Sequence, residues 1–163
     1  MKHLFSKVIV SCALVAMAAG AASADYTDTT IYDGQQNVFA TGDSVRVTNV
    51  KVIGIDLRPS TYGVYIQEQA GGAYSGVLAY RSGNIPTYEA PNAAQPVAIG
   101  DVITVEGTVN DFAGLTEIDN PALLHFVSTG IPLAPQVLPP ESLTTEYAGS
   151  ERWEGVLVQV QNV

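Results

Sequence analysis

The sequence predicts an all-β protein: a small closed barrel of five short strands, preceded by a polar arm and followed by a proline-rich connector to one further strand. Three observations carry that expectation. Apolar residues alternate with polar ones in run after run from Asp43 to Val127, which is the spacing of half-buried strands. Turns bearing glycine, asparagine or proline punctuate the runs, and almost nothing holds a helical period. Removing the first 24 of 163 residues, which read as an export signal, leaves 139, enough for one compact domain and little more.

The export signal comes first. Lys2 and Lys7 make a basic start, Val8 to Ala22 is an apolar run, and Ala22-Ser23-Ala24 suits a signal peptidase. The run falls short of the 20 or so residues of a membrane span. A lipoprotein reading of Ile9-Val10-Ser11-Cys12 fails because only four residues separate Lys7 from Cys12. Cleavage after Ala24 leaves a chain with no cysteine, five cations and sixteen carboxylates, a net charge of −11. A disulfide-free domain depends on its core. Secretion, or export to a bacterial periplasm, is the expected fate, with no membrane attachment afterwards. The acidic balance argues against binding nucleic acid or an anionic membrane by bulk charge.

Residues 25–42 are polar and predict an arm that packs only in part, anchored by Ile31, Tyr32, Val38 and Phe39. The barrel is expected over 43–130. In its first strand Val45 and Val47 alternate, then Val50, Val52 and Ile55, with a slip of phase between the two sets. A bulge near Thr48-Asn49 absorbs such a slip and lets one long strand serve two faces. The second strand is Tyr62–Glu68, ended by Ala70-Gly71-Gly72, and the third is Gly76–Arg81. Three prolines and no helical period make 83–100 a loop. The fourth strand is Val102–Val109. The fifth is Leu115–Ile118, with Leu123–Val127 as its continuation beyond Asn120-Pro121.

Residues 131–163 read as a connector with four prolines over Pro132–Pro140, one helical turn within Glu141–Gly149, and a strand carrying Val156, Val158 and Val160. Val45-Arg46-Val47-Thr48-Asn49-Val50 matches Val158-Gln159-Val160-Gln161-Asn162-Val163 at four of six positions. The echo is either chance among valine-rich strands or the first strand of a second barrel.

The order of these blocks resembles the OB-fold modules of secreted bacterial proteins, found ahead of extracellular nuclease or endonuclease/exonuclease/phosphatase domains. The matching segments are Thr30-Ile31-Tyr32-Asp33, Val45-Arg46-Val47, Gly63 to Glu68, Gly76 to Tyr80, Ile99 to Gly107, Gly114 to Ile118 and Trp153 to Val158. The resemblance implies an OB-like barrel in an accessory role, with an extracellular nuclease domain or single-stranded nucleic acid as partner. It does not imply catalysis, and no cofactor is expected.

The residues agree with a non-enzyme. His125 is the one histidine after Ala24 and sits in an apolar strand, where an outward structural role is expected. Phosphodiester hydrolysis normally needs clustered carboxylates holding a metal, or a histidine beside them. Asp111, Glu117 and Asp119 lie near one turn, yet they lack the spacing of a calcium loop and read first as solvated acids. Trp153 reads as a core anchor.

Small barrels of this class bind oligonucleotides or oligosaccharides on the face of strands two and three, between the loops after strands one and four. Arg58 maps to the first loop, Tyr62 and Tyr65 to strand two, Tyr80 and Arg81 to strand three, and Phe112 to the later turn. The rings suit base stacking and the arginines suit phosphate, so these six are the expected nucleic-acid-binding residues. Val64 and Ile66 should then face the core, with Tyr65 and Gln67 outside. The rings also suit sugar faces, and a structural module without a ligand is the bland alternative.

Overall fold

A computed structural model describes residues 25–36, 38–81, 83–144 and 149–161. The segment expected to be an export signal, with Cys12, and the last two residues of the echo lie outside the described residues.

Seven elements build the barrel: β1 (Thr27–Thr29), α1 (Ile31–Gln35), β2 (Ser44–Asp56), β3 (Gly63–Gln67), β4 (Gly76–Tyr80), β5 (Val102–Phe112) and β6 (Leu115–Ser128). β2, β3 and β4 form an antiparallel meander. β4 then pairs in parallel with β6, β6 runs antiparallel to β5, and β5 returns to β2. Five strands therefore close on themselves with mixed pairing, the OB-like barrel that the alternation predicts.

The phase slip in β2 is a bulge at the expected place. Its pairing with β5 shifts register between Val47 and Val50, and Asn49 takes φ 57°, a left-handed conformation that asparagine tolerates better than branched residues. Before the bulge β2 lies between β1 and β5; after it, β2 lies between β3 and β5. One strand thus serves two sheet neighbourhoods because one bend redirects it. Leu115–Ile118 and Leu123–Val127 are, as expected, parts of one strand, with a second register shift beside Gly107.

Val45, Val47, Val50, Val52, Val64, Ile66, Ala79, Ile103, Val105 and Leu124 fill the interior. The arm packs further than its polarity suggests. Thr30 caps α1 by accepting the Asp33 N–H at 3.2 Å, and Ile31 enters the core at 2% exposure. Gln35 donates to the Gly76 carbonyl, and the Ile31 N–H donates to Glu68. Phe39 packs partly against the core, whereas Val38 is exposed. Loop 83–100 adds one unexpected core residue. Tyr88 is 1% exposed, stacks at a tilt on Phe126 with ring centroids 5.3 Å apart, and donates to Asp101 at 2.6 Å. An apolar body with one satisfied hydroxyl makes a tyrosine acceptable there.

The connector crosses the outside of the barrel. β7 (Gln136–Leu138) pairs in parallel with β8 (Val158–Val160) as a separate ribbon, so the described part of the echo pairs with the connector. Between them come 3₁₀ turns at Pro140–Leu143 and Glu151–Trp153, outside α-helical geometry. Trp153 is half-buried on the surface under Arg152 rather than in the core, with its indole nitrogen buried and unbonded. Among the described residues, no helix is long and apolar enough to cross a membrane.

Candidate functional site

Pairing across the barrel determines which side chains share its outer face. Val64, Ile66, Ala79, Val109 and Ile118 point inward, so their strand neighbours Tyr65, Leu78, Tyr80, Asn110, Glu117 and Asp119 point outward. The register brings these together, since Tyr65 lies opposite Leu78, and Glu117 lies between Leu78 and Asn110. They line a groove of about 310 Å³ on the face of β3 and β4, bounded by Asp56, Arg58, Ser60 and Thr61 on one side and by Phe112 and Leu115 on the other. That volume is at the lower end of small-ligand pockets, which run from about 300 to 1,000 Å³.

Of the six residues that the sequence nominates, Arg58, Tyr65, Tyr80 and Phe112 meet in this groove. Tyr62 is half-buried and does not line the groove, and its carbonyl accepts the Arg81 N–H at 2.8 Å. Arg81 is turned into the protein instead. Its guanidinium donates to the Ala122 carbonyl and to Glu89 at 3.0 Å, and its side chain is 11% exposed. The two arginines therefore do not share a face. Glu89 comes from the loop after β4, whose path the alternation of strands does not reveal.

Arg58 is committed as well. Its guanidinium makes a forked contact with Asp56, at 3.0 and 2.6 Å, and its backbone N–H donates to the same carboxylate at 2.9 Å. These bonds outweigh burial and hold the Asp56 carboxyl down at about 2. Tyr80 donates to the Ser60 carbonyl at 2.9 Å, which ties the same loop to β4.

The floor is acidic. Asn110 donates to Asp119 at 3.1 Å. Glu117 is 6% exposed, and burial first, then the carboxylates of Asp119 and Glu154, pushes its titration up. Asp111 faces solvent and caps the hairpin by accepting the Gly114 N–H. Glu117 and Asp119 were legible as outward residues from their spacing about Ile118, but nothing local marks them as groove residues. Far from the groove, half-exposed His125 lies 3.1 Å from Glu106, which also pairs with Arg46.

The connector closes the other end of the face. Gln67 is 2% exposed, and its side chain accepts the Leu157 N–H at 2.9 Å. It is an outward residue, as the alternation requires, but not a solvated one. Gly76 and Gly155 meet backbone to backbone, and Glu154 accepts the Thr116 N–H at 3.3 Å. Tyr65 and Tyr80 are thus left open while Gln67 is covered. No protein-family model and no curated protein matches the chain.

Proposed function

We propose that this protein is an exported, non-catalytic OB-fold accessory module that holds a short stretch of a phosphate-free oligosaccharide in the groove between the β2–β3 loop and the β5–β6 hairpin. One observation carries the choice of ligand. The groove offers the rings of Tyr65, Tyr80 and Phe112 above three carboxylates, and its one arginine is already neutralised by Asp56. Rings serve as flat platforms for sugar faces, and carboxylates and amides accept and donate to hydroxyls. A phosphate backbone would meet Asp119 and Glu117 with no free cation among the described residues of the groove to offset them. A module of this kind serves a catalytic partner by keeping its polymer close.

Single-stranded nucleic acid bound for an extracellular nuclease is the second reading. The same three rings favour it, because aromatic stacking accepts any base. Calorimetric titration of the mature protein with neutral oligosaccharides, single-stranded DNA and duplex DNA separates the two. Saccharide binding should change little with salt, and Tyr65→Ala should weaken it by about 1–2 kcal/mol, as for an interface aromatic. Saturable single-strand binding that Tyr65→Ala abolishes, with no saccharide bound, would replace this reading with the nucleic-acid one.

A further inference from the structure

Glu117 is buried on the floor of the groove at 6% exposure. Among the described residues no side-chain or backbone donor bonds to it, and the charged groups acting on it, Asp119 and Glu154, are themselves acids. A carboxylate accepts several hydrogen bonds in water, so a ligand that covers this one must bring donors of its own. Its neighbour Asp56 shows the usual remedy, a fork of arginine donors. Glu154 has the Thr116 N–H, and Asp119 has Asn110. Glu117 faces the open groove with none.

The surrounding charge favours a positive donor. Asp56 and Arg58 cancel, which leaves Glu117 and Asp119 as net negative groups beside the rings. An ammonium group supplies three donors and a charge, whereas a hydroxyl supplies one donor and none. Building on the saccharide reading above, we infer that the groove selects amine-bearing sugars: an amino-sugar chain lays a ring face on Tyr65 or Tyr80 and docks its ammonium on Glu117, which acts as the specificity-determining residue.

The experiment compares glucosamine oligomers with fully N-acetylated oligomers and glucose oligomers of the same length, on the full mature chain at mildly acidic pH and fixed salt. The amine form should bind about tenfold tighter or more, the gain of a charge-assisted bond over a neutral one. Glu117→Gln, checked for folding by circular dichroism, should erase that preference, bringing the affinity of the amine form down to that of the acetylated form. Glu141→Gln, on an exposed turn away from the groove, removes the same charge and should preserve the preference. Equal binding of all three sugars would overturn the amine assignment and leave the saccharide reading standing. A preference that survives Glu117→Gln would trace to bulk charge and overturn the role of this residue. Binding of no sugar would overturn both readings.

Discussion

Asp56 and Glu117 line one groove and titrate in opposite directions. Arg58 lowers Asp56 from 3.8 to about 2, chiefly by side-chain hydrogen bonds. The ionised form is thus bound more tightly in the folded chain than in the unfolded one. That stability is present above 3.8 and is lost as pH falls through the folded value. Asp56→Asn should therefore melt below the wild type at neutral pH, and the difference should shrink as pH falls from 3.8 toward 2. For Glu117 the sign reverses. Its carboxyl is raised above 4.5, mainly by burial, so its favourable contribution exists below 4.5 and disappears as pH rises through the folded value. Glu117→Gln should raise the neutral-pH melting temperature by a few degrees, roughly 1 kcal/mol, with a smaller gain in acid. A drop at neutral pH would mean that a partner satisfies the carboxylate.

At the scale of elements, the barrel depends on two joints and an arm. The bulge in β2 needs a left-handed residue at Asn49. Asn49→Val should cost about 1–2 kcal/mol in chemical denaturation, and Asn49→Gly should be close to neutral. The connector joint needs Gly76, because a Cβ there would overlap the Gly155 carbonyl. Gly76→Ala should lift the connector off β4, and hydrogen exchange at the Leu157 amide, now bonded to Gln67, should speed up before that of the core strands does. The arm contributes Ile31 to the core although its composition is polar. Ile31→Ala should cost about 2–5 kcal/mol, as for other buried aliphatics, and a change near zero would mean that the arm is dispensable.

For the whole molecule, a formal net charge of −9 predicts self-repulsion that salt relieves. The melting temperature at neutral pH should climb modestly from low salt to near-physiological salt, where the screening length shortens to about 8 Å. Alternation, punctuated by turn residues, determined the strands, the inward set that includes Val64 and Ile66, the bulge at Thr48-Asn49, and the outward positions of Tyr65 and Tyr80. Those features are local, because a period of two assigns each residue a side of the sheet wherever the strand ends up. Only the tertiary structure decided what lies opposite each outward residue. It paired Arg81 with Glu89 rather than with the groove, covered Gln67 with a segment 90 residues away, drew Tyr88 out of a loop into the core, and gave Glu117 no donor among the described residues. Those outcomes depend on closure between segments far apart in the chain, and no period or spacing within one strand encodes what another segment brings to meet it.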